Sequence, residues 1–263
     1  MLFIISRIVV MNKPKAPRPV NILKVKDASK EEMELFNAAS KYAETGDLLL
    51  AKDAYQKIIE KFPASANIEK AQNALENMNI RIMISSIPTP DSISYEVQKG
   101  DTLARIANKF STTQDLIMRS NNLKDAKVVP LGRKLKIHNE KMSMVVDKSM
   151  NILTLKSADT IVKTYSVATG MNNCTPVGNF KIINKIVNPT WYPAGGVIPP
   201  DSPKNILGSR WIGLSAQGYG IHGTTDPHSI GSQTTSGCIR MKNSDVEELY
   251  DLVPQGAEVV IVD

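Results

Sequence analysis

Cysteine is scarce in this chain: 263 residues hold two, Cys174 and Cys238. Two thiols exclude a disulfide framework, and they leave the redox compartment unread. Aromatic residues make up only 5%, too few for a protein built on stacking. A long apolar run is missing as well. The first eleven residues are apolar apart from Ser6 and Arg7, whereas a membrane span needs roughly 20. The basic residues Lys13, Lys15 and Arg18 follow that run instead of preceding it, against the usual order of a leader. A signal, an anchor, a buried terminal strand and a misplaced start all fit, so membrane anchoring stays open. There are three histidines, and neither a metal nor a cofactor is expected. What is present, 42% hydrophobic and 22% charged residues, is ordinary for a globular protein with room for two or three small domains. The net charge of +6 suits an anionic partner or simply a solvated surface.

Residues 12–30 carry Pro14, Pro17 and Pro19 among basic residues, which favours an extended tether. From Glu31 the pattern turns helical. Leu35, Ala39, Tyr42 and Ala43 share one face, Gly46-Asp47 breaks the run, and Ala51, Ala54, Tyr55, Ile58 and Phe62 form a second stripe before Pro63. A third helix is expected over 67–83. The placement of Leu35, Ala39, Tyr42, Gly46, Ala51, Tyr55, Ile58 and Pro63 resembles one tetratricopeptide repeat. So short an array builds no solenoid groove, because stacked neighbours supply the core. A packing or dimerisation module and a site for a protein partner both stay open for residues 31–84.

Ser85 to Ser92 reads as a linker by its serines and prolines. Beyond it a short strand ends at Gly100, Asp101 or Thr102 can cap a helix with Leu103, Ile106, Ala107 and Phe110 as its apolar stripe, and Thr112 or Thr113 can cap a second. Pro130 to Ile137 reads as a turn and a return strand. Tyr95, Val97, Gly100 to Leu103, Ile106-Ala107, Asn121 to Leu123 and Gly132, Lys134, Leu135 make residues 93–138 resemble a LysM domain. That resemblance implies binding to the N-acetylglucosamine-containing glycans of peptidoglycan or chitin; a folded spacer that binds nothing is the alternative.

From 142 the pattern is strand-rich. Runs at 142–146, 151–155 and 160–167, broken by Asp147 to Ser149 and Ser157 to Asp159, suggest a meander of hairpins. Further strands are expected over 181–187 and 205–214. The proline-rich loop 189–203 is expected to act as a lid or substrate wall, with Trp191 as part of it or as a core anchor. Ser244 and Glu247 suggest a capping box for a final helix.

The segment Tyr219 to Met241 holds His222, His228 and Cys238 in a setting too rich in Gly, Ser and Thr to be core. A thiol is mostly protonated at neutral pH, so a nucleophilic Cys238 needs a base. His222, at an expected strand end before Gly223, is the candidate. No acidic residue stands ready to orient it, so the carbonyl of Gly223 or a neighbour is expected to fix its tautomer. Ser236-Gly237-Cys238 has the form of an anion-binding turn whose backbone N–H groups face a developing oxyanion. Arg240 suits a substrate carboxylate.

His222-Gly223-Thr224, Ser229-Ile230-Gly231 and Ser236 to Met241, with Thr175-Pro176, Asn188 to Trp191, Pro199-Pro200 and Gly208 to Trp211 upstream, resemble the YkuD-type L,D-transpeptidase catalytic domain over 142–263. The resemblance implies a β-sandwich-like fold, Cys238 as acylated nucleophile, His222 as base with Gly223 orienting it, and Arg240, Ser236 and Gly237 on the substrate. Many members have histidine where this chain has Ser236. His138 and His228 match nothing catalytic. The expected whole is multidomain and mainly β, with a βααβ unit and an N-terminal α-helical hairpin module. Its implied partners are peptidoglycan stem peptides and glycan strands in the cell envelope, and no nucleic acid. The implied reaction is transpeptidation, with a carboxypeptidase or a non-catalytic wall-binding scaffold as alternatives.

Overall fold

The computed structural model describes residues 22–127 and 129–263. The apolar terminal run and the prolines that follow it lie outside the described residues. Three helices come first: α1 (Ile22–Thr45), α2 (Leu48–Lys61) and α3 (Ile68–Met83). Helix α1 starts nine residues before Glu31, so the stretch 22–30, expected to be tether, is helix. Gly46 takes φ +88° and breaks the chain between α1 and α2, a conformation that costs glycine little. Ala51, Ala54, Tyr55 and Ile58 are buried against α1 and α3, following the three-and-four spacing of one helix face.

Helix α3 is apolar on two sides. Ala71, Met78 and Ile82 close the helical core, whereas Ile80 and Met83 enter the large core of the C-terminal half. Burying two such side chains contributes roughly 1.5–3 kcal/mol each. The helices are therefore docked on the rest of the molecule despite the linker composition of 85–92.

The next unit runs β1 (Ser92–Glu96), α4 (Leu103–Lys109), α5 (Gln114–Ser120) and β2 (Lys134–His138), with β1 and β2 antiparallel. Thr102 caps α4 by accepting from Arg105 N at 3.2 Å, and Thr113 caps α5 by accepting from Leu116 N at 2.9 Å. Asn121 ties α5 to β2 by exchanging hydrogen bonds with the Lys136 backbone at 2.7 and 2.8 Å. The unit is fastened on both sides. Lys136 Nζ donates to the Ile82 and Ser85 carbonyls at 2.9 Å each, meeting the negative end of α3. On the other side Leu116 joins the large core, and Arg119 pairs with Asp251 at 3.0 Å. His138 is buried at this junction, with Nε2 3.2 Å from Ser157 Oγ and Nδ1 3.6 Å from Asp91.

The C-terminal half is an eight-stranded sheet in the order β11-β9-β8-β7-β12-β3-β4-β5. Its strands are β3 (Met142–Asp147), β4 (Ile152–Ser157), β5 (Thr160–Ser166), β7 (Gly178–Val187), β8 (Arg210–Leu214), β9 (Gly220–His222), β11 (Ile239–Arg240) and β12 (Glu258–Val262). Strands β3 to β5 form the expected meander. Strand β8 begins at Arg210, and the segment 205–209 before it, read as strand from sequence, is turn. Just past edge strand β5, Ala168 exchanges two 2.8 Å backbone hydrogen bonds with Arg240 on the opposite edge. The sheet therefore curls until its edges meet, around a core that includes Met144, Leu155, Ile212, Ile221, Ile239 and Val259. A short parallel pair, β6 (Thr169–Gly170) with β10 (Gln233–Thr235), extends that seam.

Helix α6 (Asn243–Leu252) buries Val246, Leu249 and Leu252 against the sheet. Its start differs from the capping box read from sequence. The N-cap is Lys242 with no side-chain cap, and Ser244 Oγ turns to Asp245 instead. Starting the helix two residues earlier leaves Asn243 at its first position, bonding outward, where it shapes the site described next.

Candidate active site

Strand pairing next to the seam brings the two ends of the Tyr219–Met241 segment together. Strands β9 and β11 are parallel neighbours, with Ile239 opposite Ile221 and Arg240 opposite His222. Partners in register share a face, and every second residue returns to it. His222 and Arg240 thus stand side by side, and Cys238, one step before β11, stands diagonally across from His222 and opposite Gly220. Trp211, on β8, is in register with His222 from the other flank, and its ring stacks on the imidazole at 6.0 Å between centroids and 17° between planes. A β-carbon on Gly220 would fall 2.6 Å from the Trp211 ring. Glycine there leaves the space through which the indole reaches the site.

His222 is buried, at 3% exposure. Its Nδ1 is 2.7 Å from Gly223 O. A carbonyl only accepts, so Nδ1 carries the hydrogen and Nε2 keeps its lone pair. Burial drags the imidazole pKa down to about 4, with the Gly223 carbonyl pulling the other way and the Arg240 charge adding to the depression. The loop after His222 is fastened by Asn243, whose Oδ1 accepts from Thr224 N at 3.0 Å and Ser209 N at 3.2 Å. That amide occupies the space of a side chain at either Gly208 or Gly223, so both glycines serve a close approach.

Cys238 is half-buried and free. Burial pushes its thiol above the ordinary value, opposed by a hydrogen bond from the Gly220 backbone and by the Arg240 charge. With thiol raised and imidazole lowered, the resting pair is neutral on both sides, not a thiolate and imidazolium. Gly237 has φ +121°, and a β-carbon there would lie 2.6 Å from the Tyr219 ring. The turn corrects one expectation from sequence: the Gly237 N–H does not face an oxyanion, because it donates to Thr235 Oγ1 at 3.1 Å. That hydroxyl in turn donates to Cys238 O at 2.6 Å.

Arg240 is held by Ser229, with Nη1 3.0 Å from the hydroxyl. Its Nε is buried without a partner among the described residues. Ser236 is exposed at the rim of the turn. His228 is exposed in the loop before Ser229, and Trp191 is only half-buried, pairing with Ile198 across an arch in the 189–203 loop. Asn205 Nδ2 pins that arch to the Pro189 and Pro199 carbonyls at 2.9 and 3.2 Å. Clefts of about 540 and 550 Å³ open where the units meet, and neither is lined by Cys238 or His222; the site is marked by chemistry, not by depth.

Sequence reasoning missed Trp211, Ser229, Thr235 and Asn243 as builders of the site. Ser229 and Trp211 lay inside segments already singled out, but their contacts depend on which strands pair. Cys174 is exposed near the cysteine turn, close enough to add to the upward push on Cys238.

Comparison with known proteins agrees with this geometry. The YkuD family model, described as the L,D-transpeptidase catalytic domain, matches residues 141–261, and the LysM domain model matches 95–138. The YkuD protein of Bacillus licheniformis, assigned as an L,D-transpeptidase, is 37% identical over 176 residues, which cover 64% of this chain and 98% of that protein. The chain belongs to the YkuD family of L,D-transpeptidases. Its Bacillus subtilis counterpart is 36% identical over the same coverage, and the YqjB protein of that organism, also assigned as an L,D-transpeptidase, is 40% identical over 126 residues, 46% of this chain and 70% of that protein. As a member, the protein is a cysteine enzyme carrying a peptidoglycan-binding LysM domain ahead of its transpeptidase sheet. No tetratricopeptide model matches the N-terminal helices.

Proposed function

We propose that this L,D-transpeptidase forms a thioester between Cys238 and the third residue of a peptidoglycan tetrapeptide stem, then passes that acyl group to an amine. The observation that supports the reading is the β9–β11 register, in which Cys238 lies diagonally across from His222, whose Nδ1 is taken up by the Gly223 carbonyl so that Nε2 is the basic nitrogen. His222 Nε2 takes the thiol proton as Sγ attacks the carbonyl of the L-centre. The C–N bond to D-alanine then breaks, and the imidazolium returns its proton to the leaving amine. An acceptor amine attacks the thioester and releases Sγ as thiol. The backbone N–H of Cys238 receives the oxyanion, and Arg240, with an unsatisfied donor, receives a substrate carboxylate.

The LysM unit holds the enzyme on glycan, which places it in the periplasm or extracytoplasmic wall. Among the described residues no helix is long and apolar enough to cross a membrane. Nor, among those residues, are three or more His, Cys, Asp or Glu side chains grouped to hold a metal ion. The tetratricopeptide-like arrangement of α1 and α2 suits a packing module or a protein contact.

Incubating the purified chain with a disaccharide tetrapeptide, with and without a second stem as amine donor, tests the reading by mass spectrometry. A Cys238 thioester followed by a crosslinked dimer is the expected result. Tripeptide alone would make water the acceptor and the protein a carboxypeptidase. Absence of any adduct, with insoluble peptidoglycan still retaining the protein, would leave a wall-binding scaffold.

The pH dependence follows from the neutral pair. His222 must be unprotonated to act, and its pKa is about 4. The acid limb of kcat/KM for acylation is therefore expected near pH 4, well below the ordinary histidine value of 6.5. A limb at the ordinary value would show that the imidazole is solvated in the working enzyme. The same depression makes folding stability decline as pH falls from 6.5 toward 4, because the unfolded chain takes up the proton first.

A further inference from the structure

Behind the cysteine turn lies a second set of contacts that the proposed chemistry does not use. Thr175 is buried at 2% exposure. Its Oγ1 accepts from Gly170 N at 2.8 Å and donates to Gly237 O at 2.9 Å. A carbonyl only accepts, so the hydroxyl hydrogen goes to Gly237 O, and the oxygen's lone pair is left for the Gly170 N–H. Gly170 has no room for a side chain. A β-carbon there would meet Thr175 N at 2.7 Å, Cys174 Sγ at 2.5 Å and Gly237 Cα at 3.0 Å, so three segments converge on one point.

The loop that delivers Thr175 is held from below by a cation. Lys148, in the turn between β3 and β4, is 2% exposed, and its Nζ donates to Thr175 O at 2.9 Å and Asn173 O at 3.2 Å. Asp263 lies 3.4 Å from the same ammonium and accepts from Asn173 Nδ2 at 2.7 Å. The loop needs such fixing, since Asn172 and Asn173 both hold positive φ, 50° and 61°, which is uncommon for residues other than glycine.

We propose that Thr175 is a positioning residue for the oxyanion donor, and that Lys148 holds it in place. The Gly237 carbonyl and the Cys238 N–H are the two ends of one peptide plane, and in a trans peptide they point in opposite directions. Clamping the carbonyl onto Thr175 therefore aims the Cys238 N–H away from Thr175. With the Gly237 N–H consumed by Thr235, the Cys238 amide carries more of the oxyanion charge, and its direction matters correspondingly. The inference rests on the acyl-transfer reading above.

Acylation and alkylation of the same sulfur separate the two. Attack on a stem-peptide carbonyl creates an oxyanion, whereas iodoacetamide alkylates a thiol by displacement and creates none. In Thr175→Val the kcat for acylation is expected to fall about 10²-fold with KM nearly unchanged, the loss typical of a misdirected oxyanion donor. Alkylation of Cys238 should stay close to the wild-type rate. Thr175→Ser, which keeps the hydroxyl, should restore most of kcat. Lys148→Met should show the same pattern more weakly, and it serves if Thr175→Val does not fold. Equal losses of acylation and alkylation, or an acylation rate untouched in Thr175→Val, would overturn the proposal. Wild-type protein that is alkylated but never acylated would overturn the transpeptidase reading, and this inference with it.

Discussion

His222→Gln is expected to slow acylation of Cys238 by roughly 10²–10⁴-fold, the usual worth of a positioned general base, and Cys238→Ala to abolish it. The size of the effect follows from the resting state. Burial raises the thiol pKa, so at neutral pH very little thiolate exists unless the imidazole removes the proton during attack. Glutamine is close in length and retains a donor for the Gly223 carbonyl, so the loop after β9 should persist. The residual rate has a signature: without a base it should climb about tenfold per pH unit until the thiol ionises, because only pre-formed thiolate reacts. Intact-mass measurement of the acyl-enzyme against time and pH gives both quantities. A variant that acylates at the wild-type rate would remove His222 from the mechanism.

Gly237→Ala should be nearly as damaging, for a different reason. At φ +121° an L-residue is strained by about 1–3 kcal/mol, and the added methyl would meet the Tyr219 ring at 2.6 Å. The turn must move, and Cys238 moves with it. A displacement near 1 Å is worth about 10²-fold in rate. Acylation should therefore fall by that order even where the melting temperature drops only slightly. Adding Tyr219→Ala removes the clash but not the backbone strain, so the double variant should recover part of the loss. Full recovery would show that sterics alone, and not the left-handed backbone, fixes the turn.

Local signals in the chain were strong where the physics is local. The caps at Thr102 and Thr113 act within three residues, and the stripes on α2 and on β3 to β5 follow from periodicity. Gly237, in the turn read from sequence before the cysteine, takes φ +121°. Local signals misled where a distant contact competed. Proline content marked 12–30 as tether, yet its last nine residues are helix. Ser244 had the spacing of a cap, but Asn243 is drawn to Ser209 and Thr224 beside β8 and β9, and the helix starts there.

Residue type and spacing by themselves determined the βααβ unit and the mainly β C-terminal half, because those depend on short-range geometry, and they named His222 and Cys238 as candidates by side-chain chemistry. Tertiary structure alone decided what surrounds them. Trp211 lies against His222 because β8 and β9 pair in register, Ser229 holds Arg240, and Thr175 stands behind Gly237 where the curled sheet joins its own edges at Ala168 and Arg240. Contacts made by closing a sheet join residues far apart in the chain, as Thr175 and Gly237 are, 62 positions apart, and spacing carries no trace of them. The segment Tyr219–Met241 supplied the candidate groups; the β9–β11 register and the seam behind it set how they face one another.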